Sequence, residues 1–124
     1  MTEELGKAKD PNAVIIHAAS DDQRECRICR LTVETFVAIL AAEAGNMVLR
    51  HMATGGLYLG GGIPPRILPF LRKPNFIKWF VRKGRLSRLP EQVPVHVILN
   101  AKAALVGAAS FGLQAAALQP GSAP

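Results

Sequence analysis

A run of glycines between an apolar segment and a pair of prolines constrains the fold of this chain more than any other feature. Leu57–Leu59 has the composition of a short strand, and the glycines before it end the preceding helix. Gly60–Gly62 follow directly, and Pro64 suits the first turn of a new helix, where the missing N–H is not needed. The pattern predicts a strand, a glycine loop and a helix, in that order.

The glycine loop is a candidate nucleotide site. A backbone without Cβ atoms can approach a ligand closely, and nucleotides bind between the carboxyl end of a strand and the amino end of a helix. A tight turn without a ligand explains the glycines equally well. Both interpretations stay open on the glycines alone.

Five segments, in matching order and spacing, resemble the C-terminal part of bacterial glucokinase, the ATP-dependent sugar kinases of hexokinase type. The segments are Gly55–Leu71, Phe76 with Phe80, Lys83–Leu86, Val93–Ile98 and Leu105–Ala109. The resemblance covers residues 20 to 115 or so, and Cys26-x-x-Cys29 and Gly45–Leu49 belong to its less sharp upstream part.

The resemblance implies an α/β fold class: a C-terminal fragment of a ribonuclease-H-like (actin-like ATPase) domain, with a long helix followed by a parallel βαβα unit. It implies one partial domain over residues 1–119, which leaves 120–124 as a disordered tail. It also implies that ATP binds through its adenosine. The residues expected there are Gly60, Gly61, Gly62, Ile63 and Pro64.

The complete enzyme of the resembling family transfers the γ-phosphate of Mg-ATP to the 6-hydroxyl of glucose. That family's N-terminal phosphate loop, catalytic aspartate and sugar-binding residues have no counterpart in this sequence, so no catalytic or metal-binding residue is assigned. Alone, the chain is expected to be inactive, with glucose bound only in the complete enzyme. The expected partners are ATP, the missing catalytic part in cis or in trans, and a chain that pairs with the open edge of the sheet, in a homo-oligomer or a hetero-complex.

The charges are unevenly distributed and suggest a second class of function. Of the nine Asp and Glu residues only Glu91 lies beyond residue 43, whereas ten of the fifteen Lys and Arg residues do. A non-catalytic binding or regulatory module that kept the fold would present its basic region 66–88 to an acidic protein. The same charge could instead face an acidic part of the whole kinase. Nucleic acid is not an expected partner, because long basic runs with interleaved aromatic residues are absent.

Cys26 and Cys29 are the two cysteines of the chain. They share one face of a helix start, where small buried residues, a redox pair or half of a metal site are the interpretations. The few cysteines and the acidic start Met1–Glu4 favour a cytoplasmic protein. No membrane span is expected, because charged residues interrupt the apolar segment 31–53.

Periodicity and capping patterns predict the remaining elements. A long helix should run from Asp22 to about Ala53, with its cap within Ser20–Asp22 and a close backbone neighbour at Gly45. Both strands should be parallel and buried on both faces. The other predictions are a helix over 11–20 capped by Asp10, a strand over 56–60, helices over 64–72 and from Asn75 to Arg82, a loop over 84–91, a strand over 93–99 and a helix over 101–117 capped by Asn100.

Overall fold

The computed structural model describes residues 6, 8–21 and 26–117, so the predicted tail 120–124 and the proposed cap residue Asp22 lie outside the described residues. The described chain is mostly helical, with one small sheet. Its elements are α1 (Pro11–Ser20), α2 (Arg27–His51), β1 (Leu57–Leu59), α3 (Ile63–Arg66), α4 (Leu68–Leu71), α5 (Pro74–Val81), a 3₁₀ turn (Gly84–Leu86), α6 (Arg88–Glu91), β2 (Val95–Val97) and α7 (Ala103–Ala117).

Helix α2 forms the centre of the fold, and α1 and α5 pack against it. Its buried stripe repeats at intervals of three and four residues, which confirms the predicted long helix. The buried apolar side chains are Cys29, Val33, Val37, Ala41, Ala44 and Val48. The pattern of three- and four-residue intervals in the sequence also includes Phe36, Met47 and Met52, but these three side chains are exposed, and Met52 follows the end of the helix.

The start of α2 differs from the prediction. Its N-cap is Cys26, whose Sγ accepts a hydrogen bond from the Cys29 backbone nitrogen at 3.4 Å. Asp21, which the sequence predicts as part of the α2 cap, instead ends α1, and its backbone N–H donates to His17. The predicted cap of α1 is confirmed, because Asp10 accepts from the Ala13 nitrogen.

By length and composition alone α2 could cross a bilayer, with a mean hydropathy of 1.4 over its most apolar window. One side of that window is buried against α1 and α5, which is the arrangement of a core helix. The hydropathy of α2 therefore has an explanation in the packing of the described residues.

Strands β1 and β2 are parallel, as predicted, with Leu57 opposite Val95 and Leu59 opposite Val97. The prediction that both faces are buried is wrong. Tyr58 is 63% exposed and stacks on His96, with 5.0 Å between the ring centroids. The last helix, α7, has no buried residue, so it buries none of its own apolar side chains against this face.

The connection between the strands contains more breaks than the sequence predicts. The helix expected over 64–72 is divided at Ile67, because Pro69 has no N–H to donate to the preceding turn. Lys73, rather than Asn75, caps α5, and Pro74 takes its first position. Residues 84–91 form the 3₁₀ turn and α6 instead of a loop.

The apolar side of α5 faces the core. Phe76 and Phe80 are buried, with parallel rings 6.0 Å apart. The last helix begins at Ala103, two residues later than predicted, and the Asn100 side chain accepts from the Lys102 nitrogen at 2.9 Å in the turn before it.

Candidate functional site

The candidate site is the loop Gly60–Gly62, which joins the carboxyl end of β1 to the first residue of α3. Gly61 has φ +104°, a conformation that residues with a side chain rarely adopt. A Cβ atom on Gly61 or Gly62 would meet no atom within 4 Å. The loop therefore presents bare backbone to open space.

Gly60 is placed differently from the other two glycines. A Cβ atom there would lie 3.4 Å from Cδ1 of Ile98, just after β2. The Ile98 nitrogen also donates to the Leu59 carbonyl oxygen at 2.9 Å. Because the strands are parallel, this bond brings the carboxyl ends of both strands together, so residues 98–100 lie beside the glycine loop.

Ile63 and Pro64 take separate roles at the start of α3. Pro64 is buried and anchors the loop from within, whereas Ile63 is 45% exposed at its rim. Of the five predicted site residues, Gly60, Gly61, Gly62 and Ile63 are exposed. The structure thus places these five residues together at one edge of the sheet.

A cavity of about 320 Å³ beside the sheet is not part of this loop. Leu59 and Val97 line it together with side chains of α4 and α5, and it includes none of the three glycines. Sequence reasoning missed this cavity, because its walls come from elements that meet only in the folded chain.

Arg66, the last residue of α3, is bound to the other end of the described chain. Its Nη1 lies 2.9 Å from Oδ2 of Asp10. The hydrogen bond from Arg66, followed by that from the Ala13 backbone, holds the pKa of Asp10 below its ordinary value. The sequence predicts Arg66 as an ordinary solvated residue, and the structure shows it paired across the surface.

Other basic residues of the 66–88 region also bind within the chain. The Nζ atom of Lys73 lies 3.6 Å from Oε1 of Glu34 and 4.6 Å from the centroid of the Phe70 ring. Lys83 donates to the Ala42 carbonyl oxygen of α2. Part of the basic character of this region therefore serves intramolecular contacts.

The two cysteines meet at the N-terminus of α2, where Cys29 is buried and Cys26 half-buried. In the described ranges no three His, Cys, Asp or Glu residues are close enough to hold a metal ion.

Comparisons with known proteins point to one family. A family model described as Glucokinase matches residues 1–115. A glucokinase of Trichormus variabilis is 44% identical over 103 residues, which are 83% of this chain and 30% of that protein. One of Synechocystis is 46% identical over 82 residues (66% and 23%), and one of Caulobacter is 43% identical over 93 residues (75% and 27%). The chain spans about 30% of the length of the first of these relatives. No solved structure matches it significantly.

Proposed function

Because this chain belongs to the glucokinase family, we propose that it forms the adenosine-binding part of an enzyme that transfers the γ-phosphate of ATP to the 6-hydroxyl of glucose. The observation that carries the proposal is the bare loop Gly60–Gly62 at the carboxyl edge of a parallel sheet, with open space above Gly61 and Gly62. This is the position at which α/β folds bind nucleotides.

Each residue of the loop contributes to that binding in a different way. Gly61 and Gly62 let a flat base lie against the backbone, since a Cβ atom would project into the same space. Ile63 covers the rim of the base with an apolar side chain, and buried Pro64 holds the turn in place. Exposed Asn100, which follows β2 two residues after Ile98, borders the site.

Phosphoryl transfer depends on positioning and on neutralising charge around the transferred group. We assign neither a catalytic aspartate nor a Mg²⁺ ligand to this chain, and the described residues hold no carboxylate cluster suited to a metal ion. The remainder of the kinase, in cis or in trans, supplies these groups, and Mg²⁺ arrives with ATP. The chain alone is then inactive towards glucose.

The proposal extends to the fold and the location. The sheet of two described strands supports a larger sheet that continues into further strands of a ribonuclease-H-like domain, and exposed Tyr58 and His96 support a further layer that covers its face. A second copy of the chain is the alternative cover for the same surfaces. Sugar phosphorylation by ATP also supports a cytoplasmic location.

The test is a thermal-shift titration of the chain with ATP, ADP and AMP, with and without Mg²⁺. A ligand that binds only the folded state raises the temperature midpoint of unfolding. At a ligand concentration one hundred times Kd, the free energy of unfolding rises by about 2.7 kcal/mol. All three nucleotides should raise it, because they share adenosine. An unchanged midpoint in a chain that unfolds cooperatively would contradict the proposal.

A variant pair makes this test specific to the loop. Gly62 has φ −80° and ψ −21°, which any residue adopts, and its Cβ position is open. Gly62→Val should therefore fold normally and lose the nucleotide shift. Gly55→Val is the matched control, because Gly55 is equally open but lies before β1. Retention of the shift in Gly62→Val would show that the loop is not the site, and loss of the shift in both variants would show that the loss is not specific to the loop.

The module alternative makes a different prediction. A regulatory surface at 66–88 would bind an acidic protein with an affinity that falls steeply as salt rises. The contacts of Arg66, Lys73 and Lys83 within the chain reduce the charge available for such binding. Salt-sensitive binding of a polyanion without any nucleotide shift would favour this module over the kinase part.

A further inference from the structure

The cysteine pair at the start of α2 is arranged for chemistry that sugar phosphorylation does not use. Cys26 is the half-buried N-cap of a helix of 25 residues, and Cys29 is 4% exposed, three positions further on. The Cys26 Sγ lies 3.4 Å from the Cys29 backbone nitrogen and accepts its hydrogen bond. The more accessible sulfur therefore lies over the first turn, where backbone N–H groups favour a negative charge.

The electrostatics divide the two thiols into unequal partners. The hydrogen bond from the Cys29 thiol, and then that from the Cys29 backbone, lowers the pKa of Cys26. The same thiol–thiol bond, and then burial, raises the pKa of Cys29. Cys26 is thus the attacking thiolate, and Cys29 is a protonated thiol held against it.

We propose that Cys26 and Cys29 form a thiol–disulfide exchange site for low-molecular-weight disulfides of the glutathione disulfide class. The hydrogen bond from the Cys29 backbone nitrogen to the Cys26 Sγ, at 3.4 Å, holds the first sulfur against the residue that carries the second. Cys26 lies outside the helical conformation, at φ −82° and ψ 83°. A small rotation of this cap residue can bring the sulfurs to bonding distance without unwinding α2.

The exchange takes place in two balanced steps. The Cys26 thiolate attacks one sulfur of the small disulfide, a new S–S bond forms, and the first small thiolate leaves and takes up a proton. The Cys29 thiol then loses its proton and attacks the Cys26 sulfur, and the second small thiol leaves. The two cysteines are oxidised to one disulfide and the small disulfide is reduced to two thiols.

The alternative of half a metal site has less support. A structural zinc ion needs four ligands, and the described part of the chain brings no third His, Cys, Asp or Glu to these sulfurs. The unequal exposure of the two sulfurs suits thiol–disulfide exchange, since one sulfur must be accessible to attack and the other must resolve.

The test treats the full chain with glutathione disulfide at neutral pH and follows intact mass and alkylatable thiols. The wild-type chain should lose both thiols and the mass of two hydrogen atoms. Cys29→Ala should stop at a single glutathione adduct on Cys26, because no resolving thiol remains. Cys26→Ser should react at least about tenfold more slowly, because the remaining thiol is buried and protonated.

Two results would overturn the proposal. One is a wild-type chain that accumulates adducts, or stays reduced, without forming the internal disulfide. The other is equal reaction rates for Cys26→Ser and Cys29→Ala. Cys29→Ser, a smaller perturbation of shape, replaces Cys29→Ala if the alanine variant does not fold, as judged by cooperative unfolding. The Gly62→Val variant should react like the wild type, so failure here is independent of nucleotide binding.

Discussion

Gly45 of α2 lies directly beneath the carbonyl oxygen of Phe80, where α5 crosses the long helix. A Cβ atom at position 45 would collide with that oxygen and would lie 2.6 Å from Cε of Lys83. Glycine costs about 1 kcal/mol of helix propensity relative to alanine. That cost is offset because the close crossing buries Phe80 against α2. The close backbone neighbour that the sequence predicts at Gly45 is thereby confirmed.

Gly45→Ala should lower the free energy of unfolding by about 1–3 kcal/mol, because the added methyl group meets backbone that cannot rotate away. Gly107→Ala is the matched control: it also lies within a helix, its Cβ position is open, and it should gain up to about 1 kcal/mol. Urea unfolding followed by circular dichroism measures both. Equal stability of the two variants would mean that α2 and α5 do not cross so closely.

Lys83 joins the end of α5 to the middle of α2. Its Nζ donates to the Ala42 carbonyl oxygen at 2.6 Å and to Oδ1 of Asn46 at 2.7 Å. Lys83→Met keeps the aliphatic stem and removes both bonds, which should cost about 1–3 kcal/mol in chemical denaturation. Lys78→Met, at an exposed position of α5, should change stability by less than about 0.5 kcal/mol. A larger loss at Lys78 would contradict the assigned role of Lys83.

The Asp10–Arg66 pair should make stability depend on pH on the acid side. The pKa of Asp10 is lowered in the folded state, first by Arg66 and then by the Ala13 backbone, from an ordinary value of 3.8. The folded state therefore prefers the ionised carboxyl. The stabilisation is fully present above about pH 5 and is lost as the pH falls through the lowered pKa.

Asp10→Asn tests this effect, because asparagine keeps an oxygen to cap α1 while it removes the charge. The unfolding midpoint of the wild type should exceed that of the variant near neutral pH. The difference should shrink as the pH falls below the ordinary pKa of the carboxyl. A difference that stays constant down to the acid limit would show that the charge pair with Arg66 does not act on stability.

The exposed apolar residues of α7 should drive association of the isolated chain. Phe111 and Leu113 are each 74% exposed. Covering such apolar surface with another protein surface lowers the free energy of the system, which favours association. Sedimentation should show species larger than the monomer, and Phe111→Glu should shift them towards the monomer. Ser110→Glu adds the same charge beside it without removing apolar area, and should have little effect. A wild-type monomer at all concentrations would contradict this prediction.

The position of the candidate site could be predicted from sequence because every signal for it is local. The apolar triplet, the glycines and the prolines occur within Leu57–Pro65, and each acts on its own backbone. The partners of the loop could not be predicted in this way. The contact of Gly60 with Ile98, and the pairing of Arg66 with Asp10, join residues far apart in the chain.

The sequence by itself determined the long helix, because its periodicity acts within one element, and the parallel direction of the strands, because strands joined through helices pair in parallel. Only the tertiary structure decided which surfaces are covered. Phe36 of α2 lies outside the buried stripe that packs against α1 and α5. Tyr58 of β1 is exposed, and α7 has no buried residue. Burial depends on contacts between elements. An apolar pattern indicates only that one face of a helix or strand must be covered, and not which element covers it.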